Sequence, residues 1–231
     1  MRVFAIVLII SFPSLCQGQQ LDTLAHEPST LDEQLFMGIN HWGNNAGWLD
    51  PPAATLSNTA FYTSAAIPIA LYGYGMLKPD NSSTHAGAST LLSIGIASAI
   101  TEGIKRVVQR PRPYYSLKGW RTPDTLLLPK DYSFPSGHAT ATWALATGLA
   151  LHYPKWYVIG PAAAYALSVS LSRPYVAAHY PSDIIVGALI GSATAFTMWR
   201  LEDRLFKKAG TALNPNPASV PFAIISIPLS N

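Results

Sequence analysis

"SRPYVAAHYPSD", Ser172–Asp183, is the stretch on which the reading of this chain turns. It holds an arginine, a histidine and an aspartate in a chain of which only 12% is charged. An average soluble domain carries about 25%. Pro181 suits the first turn of a helix, where no amide donor is required. His179 then lies just ahead of that helix and Asp183 in its first turn. An aspartate four residues after a histidine can accept a bond from one ring nitrogen. That fixes the tautomer and leaves the other nitrogen free to act as base or nucleophile. Arg173 adds a planar donor fork matched to phosphate oxygens. Alone, the stretch fits equally well a capping aspartate beside an incidental histidine.

The surrounding sequence is helical in pattern. Ile184–Trp199 follows as an uncharged apolar run. Four more lie upstream: Leu56–Leu77, Ala86–Thr101 running on to Lys105, Ala139–Leu151 and Trp156–Leu171. All are rich in Ala, Gly, Ser and Thr, which suits close helix packing. No alternation argues for strands, and no internal repeat stands out. Residues 19–50 are polar and aromatic, with Leu31, Leu35, Phe36 and Ile39 at helical spacing. Asp50-Pro51-Pro52 is expected to break that short amphipathic helix. The expected fold is all-α, a bundle of five to six helices.

Hydrophobic residues make up 49% of the 231, and mean hydropathy is +0.20. A span needs about 20 apolar residues, and only Leu56–Leu77 reaches that length comfortably. Charge depletion favours a transmembrane bundle; a soluble bundle is the alternative. The net charge of +3 is not spread as a nucleic-acid face. Cys16 is the single cysteine, which excludes an internal disulfide framework. The absence of Cys-x-x-Cys and His-x-x-x-His pairs leaves no zinc signature, and no metal or other cofactor is expected.

Arg2, the apolar run Val3–Phe12 and small residues near Gly18 have the shape of a secretory signal. The domain reading is therefore 1–18 signal peptide, or an uncleaved first membrane helix, 19–55 N-terminal segment, 56–208 helical domain and 209–231 tail. Threading five spans from the outside places Arg200, Arg204, Lys207 and Lys208 inside, in accord with the positive-inside rule. The same threading places Lys105, His138, Arg173 and His179 on the outer face, at the ends of successive helices.

Two further stretches complete the pattern. In "KRVVQRPRP", Lys105–Pro113, Lys105 and Arg112 are two helical turns apart, and Pro111 and Pro113 stop the helix. A basic cluster anchoring to lipid headgroups would look the same. In "PSGH", Pro135–His138, Ser136 is a candidate N-cap, and Gly137 lets helix-end amides approach an anion. A capped helix with a surface histidine would look the same.

Together the stretches read Lys-x6-Arg-Pro, Pro-Ser-Gly-His and Ser-Arg-x5-His-x3-Asp. This resembles the type 2 phosphatidic acid phosphatase (PAP2) superfamily, over Ala86–Trp199. The resemblance implies a metal-independent phosphatase. It implies His179 as a nucleophile forming a phosphohistidine, Asp183 as its orienting carboxylate and His138 as the general acid. Lys105, Arg112 and Arg173 would hold the phosphoryl oxygens, with Ser136 and Gly137 completing the cradle. Tyr114–Asp131, with Tyr114, Tyr115 and Trp120, would shape a headgroup pocket.

The expected function is hydrolysis of a lipid phosphate in a bacterial inner membrane, with the site facing the periplasm. Phosphatidate, phosphatidylglycerophosphate, undecaprenyl diphosphate and lipid A phosphate are the candidate substrates. No nucleic acid partner is expected, and the residues leave oligomeric state open. A soluble periplasmic acid phosphatase of the same superfamily is the alternative. A vanadium haloperoxidase and a protein with a decayed site fit less well.

Overall fold

A computed structural model describes residues 25–78, 80–123 and 131–213, with side chains to Glu202 and at Arg204. The expected signal segment 1–18 and most of the tail lie outside the described residues. The described chain is an all-α bundle with no strand, only an isolated bridge between His26 and Leu117. Its elements are α1 (Leu31–Asn40), α2 (Trp42–Asn45), a 3-10 turn (Gly47–Leu49), α3 (Asp50–Leu77), α4 (Asn81–Val108), α5 (Pro113–Ser116), α6 (Gly137–His152), α7 (Trp156–Tyr175) and α8 (Pro181–Leu213). Six of these helices have ten or more residues.

Helix α6 is the centre. It packs most extensively on α8, then on α4 and α7. Small residues make this possible. A Cβ on Gly187 would lie 2.5 Å from the Ser136 carbonyl oxygen, and one on Gly191 would lie 2.2 Å from that of Thr140. The α6–α8 crossing therefore requires glycine at both positions. On the other side of α6, Ala141, Ala144 and Leu145 pack with Ile94 of α4.

Three expectations change. Asp50-Pro51-Pro52 opens α3 instead of only ending a helix, because proline is tolerated in the first turn. Helix α3 therefore begins at Asp50, ahead of the apolar run that starts at Leu56. The N-terminal segment is also part of the packed unit: Phe36 of α1 is fully buried with Leu117, Ala177 and Tyr180. Finally, the helix long and apolar enough to cross a membrane, among the described residues, is α8 over Pro181–Glu202, with mean hydropathy 1.5. Leu56–Leu77 has the length, but its Asn, Ser, Thr and Tyr residues dilute it.

Candidate active site

Four helix ends converge at one pole of the bundle: the C-termini of α4 and α7 and the N-termini of α6 and α8. All eight residues singled out in the sequence lie on or beside them. A cavity of about 340 Å³ opens among Lys105, Arg112, Gly137, His138 and His179, with Phe61 and Asp131 at its wall.

The turn from α7 to His179 explains why the spacing between Arg173 and His179 is five residues. Ala177 is left-handed, with φ 61°. The Ala178 amide bonds the Arg173 carbonyl at 2.9 Å, and the Ala177 amide bonds that of Pro174 at 3.1 Å. These two bonds define a Schellman helix end. Glycine is usual at the left-handed position, and alanine there costs roughly 1–2 kcal/mol. The five intervening residues are the ones needed to close this turn and present His179 next to Arg173. Pro181 then starts α8, and the Asp183 amide bonds the Tyr180 carbonyl.

His179 is 1% exposed and Asp183 is fully buried. Nε2 of His179 lies 3.1 Å from a terminal nitrogen of Arg112. Arginine only donates, so Nε2 carries a lone pair and the proton sits on Nδ1. Nδ1 faces Asp183 Oδ2 at 3.5 Å and the Ser133 hydroxyl at 3.4 Å. Ser133 in turn donates a very short bond to Asp183 Oδ2. Burial pushes the His179 imidazole well below its ordinary range, and the cations Arg112, Lys105 and Arg173 push the same way. Both effects favour the neutral form of His179.

Asp183 is held from three sides. The Tyr180 amide bonds Oδ2 at 2.9 Å, Ser133 bonds the same oxygen, and Arg110 bonds Oδ1 at 2.7 Å. Arg110 also reaches Asp32 of α1 at 2.8 Å and stacks on the Tyr180 ring, 3.8 Å from its centroid. Asp32 accepts a further bond from the Ser182 amide at 2.9 Å. The N-terminal helix thus grips the start of α8.

The cations fall into two sets. Lys105 and Arg112 are buried, 6% and 3% exposed. Both bind Asp131: Lys105 Nζ at 3.0 Å from Oδ2, and Arg112 at 2.5 Å from Oδ1. Arg173 is 1% exposed and donates a very short bond to the Ser57 hydroxyl. Its Nε is buried without a hydrogen-bond partner among the described residues. An unpaired buried donor is costly, and an anion would satisfy it.

Ser136 caps α6, its hydroxyl accepting from the Ala139 amide. Its own amide bonds the Asp183 carbonyl at 2.9 Å, so the two motifs are stitched through backbone. A Cβ on Gly137 would come within 3.4 Å of the Phe61 ring. The helix-end amides of α6 lack intrahelical partners and favour an anion. His138 stacks on Phe61, with ring centroids 4.4 Å apart, and its Nε2 lies 3.0 Å from the Ser57 carbonyl. A carbonyl only accepts, so Nε2 carries a proton and Nδ1 is the nitrogen left to exchange one with a ligand.

Sequence reasoning missed Ser57, Arg110, Asp131 and Ser133 as parts of the site. Arg110 had a signal, sitting two residues before Arg112. Ser57 had none, 81 residues before His138 in a helix without a motif. Of the aromatic residues expected to shape a headgroup pocket, Tyr114 and Trp120 pack on the Phe36 cluster under α1; among the described residues of that loop, Asp131 lines the cavity.

Geometry and charge define an oxyanion cradle served by an oriented histidine, in an all-helical bundle. The family model of the PAP2 superfamily matches residues 86–207, more than half of the chain, and the chain belongs to that superfamily. Among curated proteins it is 39% identical over 119 residues to an undecaprenyl-diphosphatase of Sulfolobus acidocaldarius, covering 50% of this chain and 55% of that one. It is 26% identical to undecaprenyl-diphosphatase BcrC of Bacillus subtilis, over 76% of this chain and 86% of that one. A lipid A 1-phosphatase of Rhizobium johnstonii is 30% identical over 52% of each chain. The chain thus spans about half the length of several relatives it matches. In fold it is similar to the crystal structure of Aquifex aeolicus LpxE, with TM-score 0.60 and 24% identity, over 77% of this chain and 99% of that one.

Proposed function

We propose that this chain is a membrane phosphatase that hydrolyses a lipid phosphate through a phosphohistidine intermediate on His179. The observation that carries the reading is a buried histidine, backed by Asp183 and Ser133, with its Nε2 facing Arg112 at a cavity that Lys105 also lines. The relatives' names, polyprenyl diphosphatases and lipid A phosphatases, support a substrate among membrane lipids bearing a phosphate or diphosphate.

The steps follow from the atoms. Phosphate oxygens bind Lys105, Arg112, Arg173 and the α6 amides, with Ser136 and Gly137 shaping that end of the cradle. Nε2 of His179 attacks phosphorus and the bond to the leaving oxygen breaks. Burial and then Arg173 hold the His138 imidazole well below its ordinary range in the resting site; bound phosphate offsets those cations, and His138, once protonated on Nδ1, gives that proton to the leaving oxygen. Asp183 stabilises the positive charge that develops on the imidazole ring. Water then attacks phosphorus, its proton returns to His138, the P–N bond breaks and free phosphate leaves. Three cations and a helix end supply the charge stabilisation on which phosphoryl transfer mainly depends.

Membrane placement rests on exposure. Only 22% of the apolar window of α8 is buried, and Ile185, Leu189 and Phe196 are 50–63% exposed. An apolar helix facing outward suits lipid better than water. Asp183 and Arg200 stand near the two ends of the apolar stretch of this helix, about 26 Å apart at 1.5 Å per residue. That is close to the thickness of a bilayer's hydrocarbon core. By the positive-inside rule, Arg200 and Arg204 support a cytoplasmic end there and a site on the periplasmic face. Residues 1–18 act in this scheme as the signal or first helix, and the bundle through 208 as the phosphatase domain.

The test is phosphate release in detergent with EDTA present, over a panel of polyprenyl diphosphates, lipid A, phosphatidate, phosphatidylglycerophosphate and soluble esters. Release from lipids that is lost in His179→Ala is the expected result, and the preferred lipid names the substrate. Turnover confined to soluble esters would point to the periplasmic acid phosphatase. Turnover surviving His179→Ala would overturn the mechanism.

A further inference from the structure

Asp131 sits where an anionic substrate would. Its two oxygens divide between the two buried cations, Oδ1 to Arg112 at 2.5 Å and Oδ2 to Lys105 at 3.0 Å. Its carbonyl accepts from Arg112 Nε at 2.9 Å, and the next carbonyl, of Tyr132, accepts from Lys105. A carboxylate bridging an arginine and a lysine reproduces two oxygens of a bound phosphoryl group. The two sides of this contact differ in burial. The Lys105 and Arg112 side chains are 7% and 3% exposed, whereas that of Asp131 is 47% exposed. The cations are fixed in the site and the acid comes to them from its rim. Burial pushes the Asp131 carboxyl up, but Arg112 and Lys105 outweigh that and hold it below its usual range, so it is anionic at neutral pH.

We propose that Asp131 is an internal competitor of the substrate phosphate, a specificity-determining residue that occupies Lys105 and Arg112 and offsets one of their two charges in the resting site, and must yield them to the incoming phosphoryl group. The proposal rests on the phosphatase reading above. A singly charged anion such as a carboxylate gains little by displacing an equal charge already in place. A phosphate or diphosphate brings more charge, and it also engages Arg173 Nε, which has no hydrogen-bond partner among the described residues. The contact thus raises the threshold for entry and favours the dianionic ligand. After turnover it also favours departure of inorganic phosphate, because Asp131 returns to the cations.

The competition is measurable with inorganic phosphate as probe. In the purified full chain, Asp131→Asn keeps the shape and removes the charge. Inorganic phosphate is expected to inhibit this variant at a concentration at least about tenfold lower than wild type, since a like charge beside the ligand is gone. Phosphate should also raise the melting temperature of Asp131→Asn more than that of wild type, because it replaces the missing partner of two buried cations. A merely structural aspartate would not produce that exchange. Should Asp131→Asn fold only when purified in phosphate, unfolding on its removal is the same result in another form. An inhibition constant unchanged or raised in Asp131→Asn, with phosphate stabilising both proteins equally, overturns the proposal. The melting shift needs no turnover. Phosphate-specific stabilisation without hydrolysis of any ester would therefore sink the phosphatase reading and leave the internal competitor standing.

Discussion

Two halves of one cradle handle positive charge differently. On the α4 side, Lys105 and Arg112 share a carboxylate that offsets one of their two charges in place. On the α7 side, Arg173 is more deeply enclosed yet bonds only a neutral hydroxyl, with its Nε unpaired among the described residues. The buried cation without an acid is costly to the fold, and the Schellman turn and α3 hold it there regardless. The first half is competed for; the second is kept ready. Substitutions on the two halves should therefore differ in kind as well as size.

The largest effect expected is at Arg173. Arg173→Lys keeps a charge but loses the fork, and no neighbouring residue replaces the lost donor. A fall in kcat/KM of about 10²–10³-fold is expected, the magnitude typical of removing one oxyanion donor. A loss of tenfold or less in steady-state kinetics would mean that Arg173 is structural. Next comes the coupling of the α4 side to the nucleophile. Burial and Arg112 both lower the His179 pKa, so the acid limb of kcat/KM in wild type should lie below the ordinary histidine value of about 6.5. Arg112→Met removes the largest of the charge contributions. The limb should then move to higher pH, alongside a loss of rate, and a pH profile that keeps its shape would break the link between these residues.

A smaller effect is expected at Asp32, which touches no part of the cavity. Asp32→Asn loosens Arg110 and Ser182, and through them Asp183. We expect kcat to fall about tenfold with KM nearly unchanged, as for a positioning residue, and Arg110→Lys to retain part of the rate that Arg110→Gln loses. The smallest effect is at Thr30, whose hydroxyl and backbone form a capping box with Glu33 at the start of α1. Thr30→Ala should cost about 1 kcal/mol and lower the melting temperature by about 2–4 °C without changing the pH profile. A rate defect there would extend the site's dependence on α1 beyond Asp32.

Much of the site is legible in the chain because it lies at helix ends. Proline, serine and glycine mark such ends locally, so Pro181, Ser136 and Gly137 announce where α8 and α6 begin. Once the helices alternate in direction, Lys105, His138, Arg173 and His179 must share a pole. What is not legible comes from across the bundle. Ser57 stands in the interior of α3 and offers no signal that its hydroxyl and carbonyl meet Arg173 and His138. Asp131 reads as one loop acid among others until Lys105 and Arg112 are seen on either side of it. Ala177 hides its turn because the expected residue at a left-handed helix end is glycine.

Ser57 and Asp32 also bear on where this enzyme can be divided. Both lie before residue 86, where the family match begins. A fragment starting there would keep every motif residue and still lack the hydroxyl that holds Arg173, the carbonyl that aims His138 and the carboxylate that anchors Arg110. Conversely, the connection between Leu77 of α3 and Asn81 of α4 separates these supports from the motifs along the chain. A chain severed at that connection has its two pieces held together by α3 packing along α4, and the motif-bearing piece should regain function only when the other is supplied in trans.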